Sequence, residues 1–123
     1  MATPNLAVGT NTIEPGRFKG AINNAATTIV SNGGSSNAVV NIGGMLVTNT
    51  DPANDCWLTL QIDDGSTQEE FIYQLNIPAG ATLDVFEEYK QPPPLLEGDV
   101  LEAIAENLSD LKAYCWYMTV TTV

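Results

Sequence analysis

The sequence predicts an all-β fold: an antiparallel β-sandwich, jelly-roll or Ig-like in type, with an extended N-terminal arm. Three observations predict it. Short runs of β-branched and apolar residues recur along the chain, separated by turns rich in Gly, Pro, Asn and Asp. Several of these runs alternate apolar and polar residues with the period of a half-buried strand. No segment has a convincing amphipathic-helix pattern, and strands without helices bury their faces by packing sheet on sheet. With 123 residues the chain forms one sandwich domain, over 18–123, long enough to bury roughly 65% of its unfolded surface.

Residues 1–17 are rich in Ala, Thr, Pro, Asn and Gly and show no sustained periodicity, which predicts an arm. Ala25 to Ser31 is β-branched and reads as a strand. Asn32 to Asn37 is a turn. Ala38 to Thr50 is a long strand interrupted at Gly43-Gly44, where paired glycines signal a bulge or a close backbone approach. Cys56, Leu58, Leu60 and Ile62 share one face of the next strand. After the turn at Asp63-Asp64-Gly65-Ser66 a loop runs through Glu70. Phe71, Tyr73, Leu75 and Ile77 then alternate with Ile72, Gln74 and Asn76.

Pro78-Ala79-Gly80 is a turn that holds the Leu75 and Leu83 strands in register, because Pro78 pre-sets its φ and Gly80 accepts positive φ. Leu83 to Val85 reads as a short strand ahead of Glu87-Glu88. Pro92-Pro93-Pro94 is a stiff segment that cannot join a central sheet. Leu96-Glu97-Gly98-Asp99 is a turn. Val100 to Glu106 suits helix or strand by composition, and its turn context selects strand. Leu111 to Val123 closes the domain, with Tyr114, Trp116, Met118 and Val120 on one face.

Fifteen acidic residues oppose four basic ones, a formal net charge of −11. Nucleic-acid affinity depends on Lys and Arg neutralising phosphates, so neither nucleic acid nor an anionic membrane is an expected partner. The imbalance is uneven. Residues 1–24 set Glu14 against Arg17 and Lys19, a net of +1, and the remainder carries −12. No apolar run approaches the roughly 20 residues of a membrane helix. Nor does residues 1–20 read as an export signal, so retention in the host cytosol until assembly or release is expected.

Candidate sites are few. Without His there is no imidazole for a Ser-His or Cys-His pair, and adjacent carboxylates such as Asp63-Asp64, Glu69-Glu70 and Glu87-Glu88 do not converge across a cleft. No enzyme activity, catalytic residue or cofactor is expected. Cys56 and Cys115 each precede a Trp in a predicted strand. They read as buried free thiols, with a disulfide between them as the alternative. Two Cys and no His exclude a structural zinc site. The acids at 63, 64, 69 and 70 offer oxygens to a hard cation, yet their spacing does not match a calcium loop, so a plain hairpin-like loop is preferred and no metal ligand is assigned. Asn107-Leu108-Ser109 matches a glycosylation triplet, without consequence lacking an export signal. Trp57, Trp116, Tyr114 and Tyr117 suit core and contact positions better than stacking on sugars or bases.

The arm is either a tail or a segment that orders on a neighbouring subunit, up to ~55 Å away if fully stretched. In the second case Arg17, Phe18 and Lys19 at its base are the partner-binding residues.

The order of segments resembles a group of small β-sandwich virion proteins of tailed bacteriophages. The elements that carry the resemblance are Val47-Thr48-Asn49-Thr50, Ile77-Pro78-Ala79-Gly80-Ala81-Thr82-Leu83 and Glu97-Gly98-Asp99-Val100-Leu101, within a match over about residues 27–106. The resemblance implies a structural role on a particle. The leading expectation is a capsid decoration or cement protein that binds the assembled head, a trimer by analogy, with the major capsid protein or other virion proteins as partners. The alternatives are a neck or tail ring component and a carbohydrate-binding module for host attachment.

Overall fold

The computed structural model describes residues 12–34, 37–89 and 92–121. Eight strands and one short helix follow in order: β1 (Thr12–Ile22), β2 (Thr27–Ser31), β3 (Ala38–Asn49), β4 (Cys56–Asp63), β5 (Gln68–Ile77), β6 (Thr82–Asp84), α1 (Val85–Tyr89), β7 (Val100–Ala105) and β8 (Leu111–Thr121). They form two four-stranded sheets, sheet A in the order β1-β8-β3-β6 and sheet B in the order β2-β7-β4-β5. Every strand pairing is antiparallel. Eight strands distributed in this order make a jelly roll; an Ig-type sandwich groups its strands differently.

Strand parity explains the core. On sheet A, Val40, Ile42, Met45, Val47, Ala113 and Cys115 turn inward. From sheet B they meet Cys56, Leu58, Leu60, Leu101, Ala103 and Ala105, and all belong to one buried cluster. In β7 the buried residues Leu101, Ala103 and Ala105 alternate with half-buried Val100, Glu102 and Ile104, the period of two that a strand imposes. The Gly43-Gly44 interruption is a register shift in the β3–β8 ladder between Ile42 and Gly44. The bulge puts Met45 back on the inward face, so the inward face of β3 stays buried along its length.

Two buried asparagines tie loops to the sandwich. Asn49, at the end of β3, donates through Nδ2 to the Asn54 carbonyl (2.9 Å) and the Ile77 carbonyl (3.0 Å), and its Oδ1 accepts from the Asp51 N–H (3.0 Å). Asn32 donates to the carbonyls of Ala38 (2.9 Å) and Leu95 (3.0 Å). Each buried amide has its hydrogen bonds satisfied by backbone groups, as burial requires.

The structure departs from the sequence reading at five places. β1 starts at Thr12, so residues 12–17 of the expected arm are strand, and the domain's ordered pairing begins inside it; residues 1–11 lie outside the described residues. In β5 the alternation of Phe71, Tyr73, Leu75 and Ile77 is broken by register shifts against β4, so Ile72 is buried and Tyr73 is 66% exposed. The physical cause is a bulge: Gln74 adopts φ 51° and donates its N–H to Thr59 Oγ1 (3.0 Å). Val85 opens α1 and does not extend β6, because the Asp84 carboxylate caps the turn by accepting from the Glu87 N–H (3.3 Å).

The Pro78-Ala79-Gly80 turn forms as expected, with the Ala81 N–H donating to the Pro78 carbonyl (3.0 Å) and Gly80 at φ 68°. It carries the chain from β5 in sheet B to β6 in sheet A, so the Leu75 and Leu83 strands share no register. The loop expected through Glu70 ends earlier, at the start of β5. Its turn is held by Asp64, whose Oδ1 accepts from the N–H groups of Ser66 (2.9 Å) and Thr67 (2.8 Å), and by Asp63, which accepts from the Gly65 N–H (2.8 Å). Those bonds hold the Asp64 carboxyl below its ordinary pKa. Among the described residues, no helix is long and apolar enough to cross a membrane.

Candidate functional site

The outward face of sheet A is the most distinctive surface of the molecule. β8 is apolar on both parities: Leu111, Ala113 and Cys115 enter the core, while Tyr114, Trp116 and Met118 point outward and stay exposed. Register places these outward residues in rows. Arg17, Trp116 and Gly44 form one row across β1, β8 and β3; Lys19, Tyr114 and Leu46 form the next; Ala21, Lys112 and Thr48 the next. On the other side of Trp116 lie Pro15, Met118 and Asn41.

Trp116 is the centre of this face. Its indole spans Gly43 and Gly44: a Cβ at Gly43 would stand 2.6 Å from Trp116 Cδ1, and one at Gly44 would overlap the six-membered ring at Cζ2. The bulge therefore does two things, restoring the inward parity of β3 and opening the floor on which the indole rests. Despite this packing Trp116 remains 39% exposed. Tyr114 stands beside it at 6.1 Å between ring centroids, tilted by 50°. Arg17 reaches across from β1, with Cζ 6.0 Å from the Tyr114 centroid and Nη1 donating to Tyr114 Oη (3.3 Å). That hydrogen bond raises the guanidinium pKa further and holds its charge beside the Tyr114 ring.

Shallow grooves flank the indole. One, of about 320 Å³, is lined by Pro15, Gly16, Arg17, Tyr114 and Trp116; the other, of about 300 Å³, lies between Pro15, Asn41, Gly43 and Met118. A third hollow, about 380 Å³, sits at the β6–α1 junction among Leu75, Thr82, Leu83, Asp84 and Glu87. Chemically, the sheet A face offers aromatic surface, a cation held in place and further positive charge.

The sequence candidates fall on both sides of β1. Arg17 and Lys19 lie on the outward face. Phe18 has the opposite parity and packs against the core, so it belongs with the interior. Cys56 and Cys115 are buried free thiols on different sheets. Burial pushes the Cys115 thiol up to about 12 and raises that of Cys56 as well. Asp63 and Asp64 spend oxygens on their own turn, and among the described residues no group of three or more Cys, Asp or Glu is placed to hold a metal ion. Trp116 and Tyr114 were legible as one face of a strand but not as exposed. The available signal was that β8 is apolar on both parities, so that the sandwich core can cover only one.

The fold is shared with an appendage protein. A solved chain of Bacillus endospore appendages, which are described as a novel family of disulfide-linked pili, superposes with a TM-score of 0.55 at 9% identity, covering 93% of this chain and 90% of that one. A pentameric capsid protein from metagenomic phage sequences aligns at a TM-score of 0.37 and 18% identity, covering 84% of this chain and 59% of that one. The first likeness establishes a common sandwich architecture. No protein-family model matches the sequence, and no curated protein is significantly similar to it.

Proposed function

We propose that this chain is a non-enzymatic structural subunit of a surface assembly, and within that class a bacteriophage capsid decoration or cement protein that binds the assembled head. The observation that supports the class is the outward face of sheet A. Trp116, Tyr114, Met118 and Leu46 lie exposed there among cations, on a body that is otherwise strongly acidic. Trp, Tyr, Met and Arg are the residue types enriched where protein surfaces meet. The sandwich shared with an appendage protein is consistent with the class, and the phage-like segments named above support the finer assignment to a virion. Its partners would be the major capsid protein or other virion proteins, with copies grouped as trimers.

The appendage pili are described as disulfide-linked. Here the chain's two cysteines are both buried, so contacts between folded copies would be non-covalent. Cryo-electron microscopy of particles from the source of this chain tests the reading. Density on the outer shell at local three-fold positions is expected. Density in a ring at the portal or along the tail would move the role to neck or tail, and absence from any particle would overturn the structural reading.

The exposed Trp116–Tyr114 pair also favours a second reading, a carbohydrate-binding module for attachment, since sugars stack on such surfaces. Glycan titration should then quench Trp fluorescence; an unchanged signal across host-surface glycans removes it.

A further inference from the structure

We infer that the outward face of sheet A docks on the outward face of sheet B of a second copy of this chain, joining copies head to tail. The inference rests on the assembly reading above and goes beyond it by naming the partner and both surfaces.

Charge placement carries it. The outward face of sheet A has the exposed Asp84 at its β6 edge, beside Leu46, and across β1 and β8 it carries Arg17, Lys19 and Lys112, in register with Trp116, Tyr114 and Ala21. They are three of the chain's four basic residues, and the fourth, Lys90, lies outside the described residues. Among the described residues none of the three forms an ion pair. Sheet B is the opposite. Parity puts Asp63, Glu70 and Glu102 on its outward face, with Glu106 just past the end of β7 and no base among them. Gln61 sits between Glu70 and Glu102 in the register and donates Nε2 to Glu102 Oε1 (2.8 Å), fixing that carboxylate in the row.

A chain of net charge −11 repels its own copies unless they meet in a chosen orientation. Face A on face A would oppose cations to cations, and face B on face B carboxylates to carboxylates; like charges across a contact are strongly disfavoured. Face A on face B sets the three cations against the carboxylates of sheet B, with Asp84 at the β6 edge the exception. The scale also fits. Strands of 11 and 12 residues in β1, β8 and β3 make a face about 36 Å long and about 14 Å wide, on the order of one side of a standard subunit interface. Because the two faces differ, the contact is heterologous: it closes into a ring or continues as a filament according to the rotation between copies.

The test is sedimentation of the full chain over a concentration series, at about 0.02 M and about 0.5 M salt, where screening lengths differ severalfold. Reversible association that weakens with salt is expected. Lys19→Glu with Lys112→Glu, and separately Glu70→Lys with Glu102→Lys, should each weaken association tenfold or more. Gln61 can turn its amide to serve the altered partner, and circular dichroism checks that both variants fold. An equimolar mixture of the two variants restores opposite charges at every contact, so association should recover to within about threefold of the unaltered chain.

A chain that stays monomeric throughout overturns the inference, including one that does so while glycans quench its Trp fluorescence. So does association that the sheet A changes abolish and the sheet B changes leave intact, which marks a symmetric dimer. So does a mixture that fails to recover. If the chain is monomeric yet present on particles, this inference falls and the assembly reading stands; if it self-associates as described yet is absent from particles, the reverse holds.

Discussion

Trp116 occupies the space that a side chain at Gly44 would need, and the two residues face each other in the β3–β8 register. The glycine is thus part of the exposed aromatic surface although it contributes no side chain to it. Gly44→Ala should destabilise the fold by about 1–3 kcal/mol, the usual cost of forcing atoms into packed space. In a Trp116→Ala background the same change should cost at least ~1 kcal/mol less, since the clash is gone. Urea denaturation of the four proteins in this cycle measures the coupling, and equal costs in both backgrounds would refute the relationship.

Asn49 is the polar joint most exposed to loss. It is wholly buried and satisfies two carbonyls and one N–H, two of these groups in the loop after β3 and the third at the end of β5. Asn49→Ala leaves those groups without partners and should cost about 2–3 kcal/mol. Asn76→Ala, on the exposed side of β5, should stay within about 0.5 kcal/mol. Thermal and urea unfolding distinguish the two; similar losses would mean that Asn49 is not the joint.

Cys115 predicts an alkaline limit. Its thiol stays protonated in the folded chain up to about 12, against 9.0 when exposed. Above pH 9 the unfolded chain releases a proton that the folded chain retains. The stability is therefore complete below pH 9 and declines as pH rises from 9 towards 12, with a limiting slope of about 1.4 kcal/mol per unit. Cys115→Ala should show a shallower decline over that window in denaturation curves. A disulfide-exchange reagent at pH 8 should leave both thiols of the native chain unmodified and titrate both after unfolding.

Asp64 predicts the acid side. Hydrogen bonds from the backbone of Thr67 and Ser66 depress its pKa below 3.8, so its contribution is present above that pH and is lost as pH falls through the folded value. Asp51 is depressed in the same way by the N–H groups of Ala53 and Asn54 and by the Asn54 side chain. Carboxyl titration by NMR should place both midpoints below 3.8, and an ordinary midpoint at Asp64 would contradict the turn geometry.

Truncation separates strand from what precedes it. Removing residues 1–11 leaves every described β1–β8 pair in place, and the melting temperature of that form is the reference. Removing residues 1–17 deletes the pairs from Thr12 to Arg17 and should lower it by about 5 °C or more. Calorimetry on the two forms is sufficient, and equal melting temperatures would show that this half of β1 contributes nothing.

Much of this architecture can be read in the linear pattern. Alternation of Cys56, Leu58, Leu60 and Ile62, the turns at Gly80 and Gly98, and the Gly43-Gly44 interruption are local signals, each produced within a few residues of chain. The same is true of the missing imidazole and of the acid excess. Long-range pairing decided the rest. A period of two says that a strand has two faces but not which neighbour covers each. Whether Trp116 or Cys115 enters the core depends on β1 and β3 arriving on either side of β8. Bulges compound this, because one extra residue at Gln74 reverses parity and turns Ile72 inward in place of Tyr73. The gathering of Arg17, Lys19 and Lys112 on one face is likewise a product of register between strands about a hundred residues apart. Composition along the chain sets how much charge there is; only the folded sheets set where it meets.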